Sequence, residues 1–98
     1  MSFPQIRISD RELQDKFNRN EGGYPAKINL LRRQAIYRSL ASPKSNQLPG
    51  TMSVLYKYWD GDIPVMVLHC FLQSDGRLGA SGKMDPKRLL VDGISYYC

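Results

Sequence analysis

Residues 51–72, TMSVLYKYWDGDIPVMVLHCFL, constrain this chain more than any other stretch. Two runs rich in β-branched and aromatic residues flank Asp60-Gly61-Asp62, and an Asp-Gly pair between such runs signals a tight β-hairpin. With Asp60-Gly61 as a two-residue turn, Tyr58 falls opposite Ile63, Tyr56 opposite Val65, Val54 opposite Val67 and Met52 opposite His69. That face is uniformly bulky and is the predicted core side. The reverse face carries Ser53, Leu55, Lys57, Trp59, Met66, Leu68 and Cys70, a mixture that does not require full cover. Pro64 has no N–H, which leaves that strand end without a partner on one side.

Upstream, FPQIRI alternates Ile6 and Ile8 around Arg7 and predicts a short first strand. SDRE follows, a capping box with Ser9 at the N-cap and Glu12 three residues on. Leu13 and Phe17 lie on one helical face, so a helix is expected over Asp10–Asn20, ended by Gly22 and Gly23. Pro25 suits the first turn of a second helix, expected over Pro25–Ala41 and stopped before Pro43. Its apolar arc is Ile28, Leu31, Ala35, Ile36 and Leu40; Lys27, Gln34 and Arg38 lie opposite. Arg32 interrupts the row Ile28–Arg32–Ile36–Leu40, with its stem along the core edge and its head in solvent, or gripping an anion or a buried carboxylate.

The stretch DGRLGASGKMDPKRLLVDG, residues 75–93, combines glycines with basic side chains in the manner of a phosphate-binding loop. A Walker A loop needs Gly-x-x-x-x-Gly-Lys-Ser/Thr, and around Gly82-Lys83 the chain has Arg77 and Met84 at the decisive places. A dinucleotide fingerprint also lacks its first glycine. Asp75-Gly76 therefore reads as a second hairpin turn, from the strand ending at Leu72 to one over residues 77–81. Asp85-Pro86 reads as the N-cap and first residue of a helical turn ending at Gly93, with ISYYC as a last strand. The expected fold class is thus α+β: a short N-terminal strand, two helices on one face of a 3–5-stranded antiparallel meander, and a helical turn near the C-terminus. At 98 residues this is one domain, 1–98.

Net charge is +5, and residues 1–49 supply all of it, with nine Lys/Arg against four Asp/Glu. Lys27, Arg32, Arg33, Arg38 and Lys44 follow one another with no acid between. Arg77, Lys83, Lys87 and Arg88 form a second basic group, partly beside a helix N-terminus that favours anions. Such clusters attract polyanions through counterion release. The expected binding residues are therefore Lys27, Arg32, Arg33, Arg38, Arg77, Lys83, Lys87 and Arg88. Two cysteines and one histidine without metal-ligand spacing give no reason to expect a metal or other cofactor. No apolar run reaches about 18 residues and the N-terminus has no signal-peptide pattern, so a cytoplasmic protein without membrane contact is expected.

A strand, two helices and an antiparallel meander in about a hundred basic residues resemble, in layout, the RelE/ParE toxin superfamily and related metal-independent ribonucleases. In that class basic, Tyr or His side chains on the sheet bind RNA and assist attack by the ribose 2′-hydroxyl. The resemblance would give such roles to His69, Arg77, Lys83, Arg88 and Tyr96. His69 also admits a structural reading, satisfied within its strand, and Cys70 points away from it. The leading functional expectation is a non-enzymatic protein that binds nucleic acid, RNA or a ribonucleoprotein favoured. Tyr56, Tyr58, Trp59, Tyr96 and Tyr97 are candidate stacking residues wherever the sheet is open, with Tyr56 and Tyr58 read first as core. The alternatives are the ribonuclease and a small protein-binding inhibitor or accessory factor from a phage or mobile element, whose basic face meets an acidic protein partner or a nucleic-acid-containing complex.

Overall fold

A computed structural model describes residues 2–79 and 83–98. The chain runs β1 (Gln5–Arg7), α1 (Asp10–Asn18), a 3-10 segment (Pro25–Leu30), β2 (Arg32–Leu40), a second 3-10 turn (Pro43–Ser45), β3 (Met52–Asp60), β4 (Ile63–Leu72), β5 (Asp85–Val91) and β6 (Ile94–Tyr97). The strands form one six-stranded sheet in the order β1-β6-β5-β4-β3-β2. All neighbours are antiparallel except β1 and β6, which run parallel. No helix among the described residues is long and apolar enough to cross a membrane.

α1 starts where its capping box dictates. Glu12 N–H donates to Ser9 Oγ at 3.1 Å, and Ser9 N–H donates back to Glu12 Oε1 at 3.4 Å. The helix buries Leu13 completely and lies against β5. On that face of the sheet, Val54, Tyr56 and Tyr58 of β3, Met66, Leu68 and Cys70 of β4, and Leu89 and Val91 of β5 form the core. Phe17, Tyr24, Ile28 and Leu31 pack against it from α1 and the 3-10 segment.

The expected α+β layout of two helices on a small antiparallel meander is corrected in four places. The second helix does not form. Its first part is the 3-10 segment, kinked at Lys27, and its remainder is the edge strand β2. The sheet has six strands and is mixed, so the fold is dominated by sheet. The helical turn expected after Asp85-Pro86 is strand β5, paired with both β4 and β6. The layout behind the toxin resemblance is therefore not the one this chain adopts.

The fourth correction is the register of the central hairpin. Asp60 pairs with Ile63, so the two-residue turn is Gly61-Asp62, with Gly61 at the first central position with φ +59°. Trp59 then pairs with Pro64 but Tyr58 with Met66, leaving Val65 as the extra residue of a β-bulge. One extra residue exchanges the faces of everything beyond it. Met66, Leu68 and Cys70 face the core in place of Val67 and His69, which turn to the other side. At Asp75-Gly76 a turn does form, with Gly76 N–H on Gln73 O and Gln73 N–H on Arg77 O. The strand expected over 77–81 is reduced, among the described residues, to a single bridge between Leu72 and Leu78; residues 80–82 lie outside them.

Candidate nucleic-acid interface

The face of the sheet turned away from α1 carries the charge. Strand register draws a row across it from Gln34 through Lys57, Val67, Arg88 and Tyr97 to Arg7. Beside this row, Arg32, Trp59 and Pro64 lie on one flank, and Tyr37, Leu55, His69 and Asp85 on the other. These rows hold four cations, Arg7, Arg32, Lys57 and Arg88, against one carboxylate. Among the described residues none of the four has a carboxylate within ion-pair distance.

Aromatic rings take the place of carboxylates. The Arg32 guanidinium lies 4.9 Å and the Lys57 ammonium 4.7 Å from the Trp59 ring, and the Arg88 guanidinium 4.8 Å from Tyr97. Ring faces hold the cations in place and leave the positive charge uncancelled. Arg88 is fixed further: its Nη1 donates to Gln5 Oε1 at 3.1 Å and Ser95 Oγ at 2.9 Å. Lys57 and Arg88 line a groove of about 430 Å³ whose apolar lining includes Phe3, Ile36, Pro64, Val65 and Val67.

His69 stands on the same face, one pleat from Val67. Its Nε2 lies 2.7 Å from Ser53 Oγ, its Nδ1 3.7 Å from Asp85 Oδ2, and Phe71 meets its ring edge-on at 4.8 Å. The order hydroxyl, imidazole, carboxylate is that of a nucleophile with its base and orienting acid, but the histidine–carboxylate separation is longer than a hydrogen bond. Ser53 also sits within the ladder near the start of β3, paired on both sides with Ser39 and Phe71. Amides in such a ladder do not converge on a developing oxyanion. The arrangement anchors His69 and orients its ring.

The structure disperses the two basic groups that the sequence places together. Arg32 and Arg88 reach the open face. Arg33 and Arg38 pair with Tyr58 and Val54 and so share the α1 side, where Arg33 lies 4.2 Å from the Tyr56 ring. Lys27 covers Tyr24 at 5.1 Å, and Arg77 is tied to Asp75 at 2.9 Å. Lys83 lines a separate cavity with Phe17, Ile28 and Met84. Lys87 is the extra residue of a bulge in β5, between Pro86 and Arg88. Of the residues named for a ribonuclease, His69 and Arg88 share a face, while Tyr96 lies on the other, under the Lys16 ammonium at 4.4 Å. Tyr56 and Tyr58 are buried in the core, and Tyr58 Oη donates to Met84 Sδ at 3.6 Å.

Lys57, Arg7, Gln5 and Ser95 are the open-face residues that sequence reasoning missed. Lys57 had a signal, since it alternates with Tyr56 and Tyr58 and shares the face of Trp59. Gln5 and Ser95 had none, because their meeting depends on the parallel pairing of the chain's two ends. Comparison of the chain with protein-family models, curated proteins and solved structures finds no match.

Proposed function

We propose that the open sheet face binds single-stranded nucleic acid, RNA favoured, without catalysis. The observation that carries this reading is the set of three cations seated on Trp59 and Tyr97 across one face, with no carboxylate neutralising them among the described residues. Cations track a phosphate backbone, and where phosphates draw them off Trp59 and Tyr97 the rings accept unstacked bases of any sequence. A single strand suits this face better than a duplex, because its bases are free to lie on the rings. RNA is favoured because Ser95 and the Tyr97 hydroxyl lie on the same face and can meet a 2′-hydroxyl.

The test is fluorescence anisotropy of a labelled single-stranded RNA titrated with protein over a range of salt concentrations. Four phosphate contacts give a slope of log K against log salt of about −2.8 for a single strand. The combined variant Arg32→Gln, Lys57→Gln, Arg88→Gln reduces that slope by about 2, while Arg33→Gln with Arg38→Gln leaves it nearly unchanged. The RNA is recovered intact on a denaturing gel. Absence of salt-dependent binding by the wild-type protein would remove this function.

A further inference from the structure

The geometry points to the groove between Lys57 and Arg88 as a subsite for one nucleotide unit, its phosphate on the two cations and its base on the apolar lining. The inference rests on the proposed nucleic-acid reading and names where on the face a single nucleotide is gripped.

The phosphate end follows from the donors that Arg88 has left over. A guanidinium carries five N–H groups. Both of Arg88's side-chain hydrogen bonds leave from Nη1, to Gln5 and Ser95, so among the described residues Nε and Nη2 have no acceptor. Those two nitrogens form the side-on fork that binds two oxygens of one phosphate. Gln5 and Ser95 are neutral, so they fix the fork without cancelling its charge. Lys57 and Arg88 both pair with Val67, one strand to either side, which sets their backbones about 10 Å apart. Both side chains line the groove together with Val67, so a phosphate entering it meets both.

The base end follows from the rest of the lining. Phe3, Ile36, Pro64, Val65 and Val67 give the groove an apolar surface. At about 430 Å³ the groove lies at the small end of the range for small-molecule sites, about 300–1,000 Å³. A bare inorganic anion leaves that apolar surface in contact with water. A nucleoside without phosphate leaves both cations unpaired.

The experiment is a backbone and arginine-side-chain NMR titration of the full chain with uridine 5′-monophosphate, inorganic phosphate and uridine, run beside the RNA anisotropy assay. The mononucleotide is expected to move the Val67 and Lys57 amides and the Arg88 Nε–H signal. Phosphate should bind more weakly and uridine not at all. Arg88→Gln should weaken mononucleotide binding about ten-fold or more, and Arg88→Lys should fail to restore it, since one ammonium cannot form the fork. Lys57→Gln, at a site outside the Gln5–Ser95 contacts, should also weaken it, and each variant's own spectrum reports whether it is folded. If RNA binds but the mononucleotide leaves these signals unmoved, the subsite is wrong and the broader function stands. If the mononucleotide binds and RNA does not, the subsite stands as a site for free nucleotide and the broader function falls. Phosphate binding as tightly as the mononucleotide overturns the subsite, and silence in both assays overturns both.

Discussion

The Ser53 hydroxyl and His69 Nε2 lie 2.7 Å apart, joining β3 to β4 on the open face of the sheet. The His69 side chain is only 15% exposed, so its ring nitrogen has little access to water in place of Ser53. Ser53→Ala leaves a mostly buried imidazole nitrogen without its partner and should cost about 1–2 kcal/mol of stability. Urea unfolding measures this. A role confined to anchoring His69 also requires that Ser53→Ala bind RNA as the wild type does when both are folded. Loss of binding without loss of stability would put Ser53 in the interface itself.

Gly22 holds the turn after α1 against the far edge of the core. Its φ is +83°, and a Cβ built there runs into the carbonyl oxygen of Leu90. Backbone is what it meets, so no side chain can swing aside. Gly22→Ala should destabilise the fold by roughly 2–4 kcal/mol, combining left-handed strain with displacement of β5. Gly23, at φ +84° with no atom near its missing Cβ, is the control. Gly23→Ala should cost only the strain, about 1 kcal/mol. Thermal unfolding of the pair separates the two terms, and equal losses would show that the contact with Leu90 yields easily.

Three β-bulges mark where the sequence ceased to be legible. In β2 the extra residue is Ile36, which changes the spacing on one face from two to three between Ala35 and Arg38. With that extra residue the apolar positions Ile28, Leu31, Ala35, Ile36 and Leu40 fall at helical spacing, and with Pro25 at the start the segment reads as a helix. The exposed edge position of β2, with Tyr37 and Leu40 open to solvent, removed the alternation that would have corrected it. In β4 the extra Val65 exchanged core and open faces, turning His69 outward. In β5 the extra Lys87 broke the alternation after Asp85-Pro86, whose own chemistry suits a helix start. The capping box of α1 needed only residues close in sequence, and it was legible. So was the pairing of Lys57 with Trp59 on one face of β3, because no bulge interrupts β3 between them. The clamp on Arg88 was not, since it depends on Gln5 and Ser95 meeting through the parallel closure of the sheet.

Two core groups should make stability fall at alkaline pH. Burial pushes the Tyr58 phenol above its ordinary value of 10.0 and the Cys70 thiol above 9.0, while the Arg33 charge partly opposes both shifts. A raised value means that the folded chain keeps its proton to higher pH than the unfolded chain. The stabilisation is therefore fully present below the ordinary value and is lost as pH rises through the folded one. Cys98 is shifted the same way by burial, then by Asp10. Stability should be insensitive to these groups at neutral pH and decline above about pH 9, at up to about 1.4 kcal/mol per pH unit for each proton involved. Cys70→Val should make the first part of the decline shallower, leaving the share of Cys98, and Tyr58→Phe should make its later part shallower. Melting temperatures from pH 7 to 11 test the order of the two steps. An identical alkaline profile in the Cys70 variant would show that the thiol does not contribute.

Trp59 is the chain's single tryptophan, and its ring lies beneath both Arg32 and Lys57 on the open face. A strand whose phosphates engage those cations brings a base to the indole, so the intrinsic fluorescence reports binding without a label. Saturating single-stranded RNA should quench Trp59 emission, and added salt should restore it along the curve seen by anisotropy. Trp59→Ala removes the stacking surface and should weaken RNA binding by about 1–3 kcal/mol, or about 5–150-fold. Trp59→Phe keeps an aromatic face and should lose much less, whereas Trp59→Leu keeps apolar bulk without the ring and should resemble the alanine variant. This order separates stacking from simple hydrophobic contact, which would make leucine as good as phenylalanine. RNA that binds by anisotropy but leaves Trp59 emission unchanged must run along the Arg88–Tyr97 half of the face, clear of the indole.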